Sequence, residues 1–143
     1  MKADGLFLLF FSGGAFATAP VLTYGPAIVE MIGTLDLQTF PGPPNYESIS
    51  GGDDIERHFY LKLSEPIDVI PKGEHREVEN AEKEQKVRIM QLAINGENDA
   101  LWAKFRKVGK RGRVKITGML FHRFTGHHHS RVLLSVAKME PLK

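Results

Sequence analysis

The chain contains no cysteine. That absence excludes disulfides, thiol nucleophiles, cysteine-based zinc sites and a lipid-modified N-terminal cysteine. No apolar run approaches the ~20 residues that a membrane-crossing helix requires. Two catalytic signatures are also missing. There is no His-x-x-x-His or His-Glu-x-x-His pair, the helical spacing of many zinc hydrolases. There is no Gly-x-Ser-x-Gly elbow, so Ser48, Ser50 and Ser130 read as turn formers rather than nucleophiles.

What is present is ordinary for one globular domain: 143 residues, 42% hydrophobic and 25% charged. The net charge of +2 hides a division. Residues 20–100 carry 7 Lys/Arg against 15 Asp/Glu, whereas residues 101–143 carry 11 against one, Glu140. A basic half can serve a nucleic acid or a membrane. The simpler expectation is that the halves neutralise each other through neighbouring strands.

Residues 1–19 have the layout of a signal peptide. Lys2 supplies a thin positive start, Leu6–Phe11 an apolar core, and Ala15-Phe16-Ala17 and Ala17-Thr18-Ala19 small-x-small cleavage sites. Cleavage after Ala17 avoids leaving Pro20 first. A buried N-terminal strand is the alternative. The mature domain, residues 20–143, is then expected in the periplasm or outside the cell.

Period-two alternation marks half-buried strands. It runs through residues 27–40, with Val29, Met31, Leu35 and Leu37 on one face. It resumes over 57–69, where Phe59, Leu61 and Leu63 oppose His58, Tyr60 and Lys62. A third strand, 86–94, switches apolar parity between Ile89 and Met90, a sign of a bulge. Residues 71–85 are polar and read as a mobile connection or a short exposed helix. Leu101, Trp102, Phe105 and Val108 form one helical stripe, capped by Asn98 or Asp99 and ended by Gly109. Strands follow at 113–124 and 131–139, with Val114, Ile116, Leu120 and Phe124 sharing a parity. The order βββαββ predicts an all-β domain with one helix, a five-stranded antiparallel OB-fold-like Greek-key barrel.

Several strings add a resemblance. Thr39-Phe40-Pro41-Gly42-Pro43-Pro44-Asn45-Tyr46-Glu47 and Thr125-Gly126-His127-His128-His129 are the specific ones. Ile32-Gly33-Thr34-Leu35, Tyr60-Leu61-Lys62-Leu63 and Val114-Lys115-Ile116-Thr117-Gly118 accompany them. Together they resemble a domain-of-unknown-function family of small exported bacterial proteins. The resemblance implies no activity.

In an OB barrel the loops joining strands one to two and four to five flank the ligand face. Here those loops are residues 41–56 and 125–130, the two most unusual stretches of the chain. In an extended segment His127 and His129 point one way and His128 the other. Asp53, Asp54 and Glu56 supply carboxylates opposite. Imidazole with carboxylate suits zinc, and an open coordination position allows hydrolysis. The candidate metal ligands are His127, His129 and Asp53. The competing expectation is that these histidines cap strand ends. Glu47, Asp53, Asp54 and Glu56 also admit a glycosidase-like pair, although four acids in a loop more often serve solvation.

Single-stranded nucleic acid needs aromatic platforms in a basic groove. Tyr60 is the sole aromatic expected on the outer face of strands two and three, so nucleic acid is disfavoured. The leading expectation is a non-enzymatic module that binds a protein or a cell-envelope saccharide. Its candidate contacts are Tyr46, Asp53, His58, Tyr60, Lys62 and His128. The alternative is a small zinc-dependent protein or hydrolase, and a third possibility is a module whose loops are purely structural. No organic cofactor is expected.

Overall fold

The computed structural model describes residues 6–8, 19–71, 82–95 and 99–143. Among the described residues seven strands and one helix follow in the order β1 (Leu6–Leu8), β2 (Val21–Thr23), β3 (Ile28–Pro41), β4 (Ile55–Ile70), β5 (Glu84–Ala93), α1 (Asp99–Val108), β6 (Arg113–His122) and β7 (Val132–Pro141). The class is therefore all-β with one helix. The expected export segment falls mostly outside the described residues. Within it, Leu6–Leu8 runs parallel to Ile28–Glu30. The polar connection expected at 71–85 lies largely outside them too.

The pairings form a cycle. β3 pairs with β4, β4 with β5, β5 with β7, β7 with β6, and β6 returns to β3. The sheet is mixed rather than wholly antiparallel, because β5 and β7 run parallel through Gln91↔Leu133 and its neighbours. α1 separates β5 from β6, and β2 adds a parallel edge to β4 at Asp68–Ile70.

β3 makes the cycle possible because it is long enough to serve two partners. Its first half pairs with β6 and its second half with β4, overlapping at Gly33 and Thr34. Gly33 faces inward there, and a Cβ on it would run into the carbonyl oxygen of Lys62. A side chain at this crossing would force the strands apart.

Apart from Tyr60, which is buried, the parity read from sequence is largely the parity of burial. Val29, Met31, Leu35, Phe59, Leu61, Val114, Ile116 and Leu120 all lie in the core. On β5 the buried set passes from Val87 to Met90 and Leu92. Register shifts between β4 and β5 accompany that change, and Lys86 stands at φ 55° beside them. Phe124 departs from expectation. β6 stops at His122, so Phe124 sits in the following turn and is 72% exposed.

α1 lays Leu101 and Phe105 into the core, with Phe105 against Phe59 at 5.3 Å and Trp102 beside the same ring at 5.7 Å. Gly109 ends the helix at φ 74°, a left-handed conformation that glycine adopts without steric cost. Among the described residues no helix is long and apolar enough to cross a membrane.

The charge division is met in part across the fold. Basic residues of the C-terminal part meet acids of the N-terminal part at Lys110–Asp36, Lys115–Glu30 and Arg131–Glu84.

Candidate metal centre

Two loops meet at one end of the sheet, the β3–β4 loop (42–54) and the β6–β7 loop (123–131). The first is shaped by Asp53. Its carboxylate accepts backbone N–H groups from Asn45, Glu47 and Ser48, each at 2.9 Å. Those three bonds hold its pKa below the ordinary aspartate value despite some burial. Asp53 is thus an internal staple of its own loop. Neither of its oxygens is placed among the histidines, where sequence reasoning had put it.

The second loop is pinned by a residue that sequence reasoning missed. Gln91 projects from β5 and is 2% exposed. Its amide donates to the carbonyl of His127 at 2.8 Å and accepts from the N–H of His129 at 2.6 Å. A lone amide between Met90 and Leu92 was the available signal, since a buried amide needs partners. His128 turns away from its neighbours. Its Nδ1 accepts from the N–H groups of Phe124 and Thr125 at 3.0 and 3.2 Å, and its ring packs edge-on against Phe121 and Phe124. Burial first, then the neighbouring His127, keeps its pKa below the usual histidine range.

His127 and His129 point to the other side and meet Glu56. Oε1 of Glu56 lies 2.9 Å from Nε2 of His58 and 3.4 Å from Nε2 of His129. Oε2 lies 2.6 Å from Nδ1 of His127. The carboxylate needs a proton on that Nδ1, so Nε2 of His127 accepts from the Tyr46 hydroxyl at 3.2 Å. Phe40 stacks on the His129 ring at 3.9 Å with an interplanar angle of 1°. Glu56, rather than Asp53, is the carboxylate among the histidines. Glu56 and His58 are two residues apart on one strand, which places them on one face, and that spacing was legible beforehand.

Burial works against the Glu56 charge, yet hydrogen bonds from His58, His127 and His129 outweigh it and leave the pKa below the normal glutamate value. His129 is held lower than a free histidine by burial, with Glu56 opposing and His58 reinforcing. A ring that stays neutral is the form that ligates a metal.

One donor atom each from Glu56, His58 and His129 lies within 4.8 Å of the others. Tetrahedral zinc with Zn–N near 2.0 Å places its ligands about 3.3 Å apart. The 2.9 and 3.4 Å separations bracket that spacing. His127 then acts on the free carboxylate oxygen, the outer contact that orients a ligating carboxylate. A second group, Glu82, Glu84 and His122, lies nearby. There Arg131 already occupies Glu84 at 2.7 Å, which supplies the positive charge without an ion.

The remaining expected contacts fall elsewhere. Lys62 reaches Asp36 at 3.6 Å and stays exposed. Tyr60 is no platform on an open face. It is 3% exposed, beside Phe40, and burial drives its hydroxyl pKa up to about 12. Tyr46 bridges the loops, its ring packed close to Gly126 and edge-on to His127.

No curated protein matches the chain. Over residues 89–140, which run from within β5 through α1 to the end of β7 and include His127–His129, the chain is similar to the family described as Domain of unknown function (DUF4431), a match of the kind the sequence resemblance implied.

Proposed function

We propose that this chain is an exported OB-type β-barrel domain that binds a divalent transition metal ion, zinc by its donor chemistry, through Glu56, His58 and His129. The convergence of those three donors carries the reading. Two imidazoles and a carboxylate form a set that zinc accepts, with a fourth position left for water. Such a site can activate that water for hydrolysis, and the Tyr46–His127–Glu56 chain of contacts lies on its outer side.

The barrel reading is supported by the pairing cycle β3–β4–β5–β7–β6–β3 and by α1 between β5 and β6. Export is supported by the apolar run Leu6–Phe11 followed by Ala15-Phe16-Ala17.

The test is a zinc titration of the tag-free protein by calorimetry, paired with elemental analysis after dialysis. One zinc per chain is expected, lost in His58→Ala and in His129→Ala. His122→Ala should retain it. Absence of stoichiometric zinc from the wild-type protein would sink the metal reading and leave the cluster as a hydrogen-bonded clasp between loops.

A further inference from the structure

Beside the histidine cluster lies a cavity of about 420 Å³. Phe40, Tyr60 and the outer side of His129 contribute its aromatic wall, and Lys86, Arg88 and Arg123 contribute cations. Arg131 also borders it but is held by Glu84. Two features distinguish this cavity from an ordinary solvated surface. Among the described residues no carboxylate lines it, and Lys86, Arg88 and Arg123 form no ion pair. The second feature is polar. The Tyr60 hydroxyl is enclosed and has no hydrogen-bond partner. Buried hydroxyls are normally satisfied, so this one lacks an acceptor.

We infer that this cavity binds a sugar-sized organic anion carrying a carboxylate or phosphate. The anionic group sits between Arg88 and Arg123, where guanidinium forks match its oxygens. The flat body of the ligand lies against Phe40 and Tyr60, whose rings give apolar contact area with one polar tip. An oxygen of the ligand becomes the missing acceptor for the Tyr60 hydroxyl. The site shares His129 as a wall with the metal centre and does not depend on metal being bound.

Calorimetric titration of the full chain with glucuronate and glucose-6-phosphate tests the proposal. Neutral glucose and inorganic phosphate serve as controls. Saturable binding of one or both anionic sugars is expected, with glucose and inorganic phosphate at least tenfold weaker. Arg88→Gln/Arg123→Gln should lose tenfold or more in affinity while keeping its zinc stoichiometry and fold. Tyr60→Phe should weaken binding several-fold without lowering the melting temperature, which separates a ligand contact from a structural one. Inorganic phosphate binding as tightly as the sugars would reduce the cavity to an unspecific cationic patch and overturn the inference. So would the absence of binding by either anionic sugar, or unchanged affinity in the arginine and tyrosine variants. Because zinc content is measured on the same samples, failure of this site is distinguishable from failure of the metal centre.

Discussion

Glu56 and His127 are joined at 2.6 Å across 71 residues of sequence, and that bond ties the start of β4 to the β6–β7 loop. The same carboxylate also holds His58 and His129. One side chain therefore collects three of the described histidines. Glu56→Gln preserves size but presents N–H to at least one ring that needs an acceptor. Its expected cost is about 1–3 kcal/mol, the range for leaving a buried polar group unpaired. Zinc affinity should fall at least tenfold. Urea unfolding with and without saturating zinc reads both effects, and an unchanged midpoint in both would refute them.

Asp53 gives a prediction with a defined pH window. Its pKa is lowered from 3.8 by three backbone N–H donors. A carboxylate with a depressed folded pKa contributes stability above its unfolded pKa and loses it as pH falls through the folded value. Asp53→Asn places an amide N–H against at least one backbone donor that needs an acceptor. The variant should melt below the wild type at pH 7, and the gap should close as pH drops below about 3.8. Calorimetric melting between pH 7 and pH 2.5 measures it. A gap that persists undiminished at the lowest pH would show that geometry rather than charge holds this loop.

Gln91 anchors the β6–β7 loop from beneath. Gln91→Leu matches the volume but strands the His127 carbonyl and the His129 N–H, at about 1–3 kcal/mol for each unsatisfied group. The loss should be larger than for Lys62→Ala, whose contact with Asp36 is exposed at 3.6 Å and contributes little. Hydrogen exchange provides the local readout, with faster exchange across residues 123–131 in the Leu variant. Unchanged protection there would dismiss Gln91 as the anchor.

Much of the strand interior was legible because burial repeats every second residue there, so that Val29 and Ile116 each lie between less buried neighbours, whereas Phe59, Tyr60 and Leu61 are buried in succession. The helix was legible from the stripe ending at Gly109. The coarse meeting of the two loops followed from element order. Side-chain partnership within the loops did not. The two-residue spacing of Glu56 and His58 was legible, but nothing in the sequence says that Asp53 spends its oxygens on backbone N–H groups. Tyr60 misled for a related reason. Alternation assigns it to the outer face, but what covers that face comes from distant segments. Phe40 stands beside it, and the β6–β7 loop is held over the neighbouring Gln91. The parallel pairing of β5 with β7 was equally hidden, since it joins strands separated by a helix and a hairpin.

The end of the molecule that holds α1 offers a control that leaves the histidines alone. Phe105 is fully buried and packs on Phe59, while Trp102, the chain's single tryptophan, lies half-buried beside it. Phe105→Ala removes a ring from a closed space, which costs about 3–5 kcal/mol because the surroundings relax only in part. Trp102 emission should shift to longer wavelength as the helix loosens. The proposed zinc site is built from β4 and the β6–β7 loop, so at a temperature where the variant remains folded its zinc stoichiometry should be unchanged. Metal lost together with the red shift would mean that the helix and the rim are one cooperative unit, and that the cluster's geometry depends on core packing at α1 as much as on the loops.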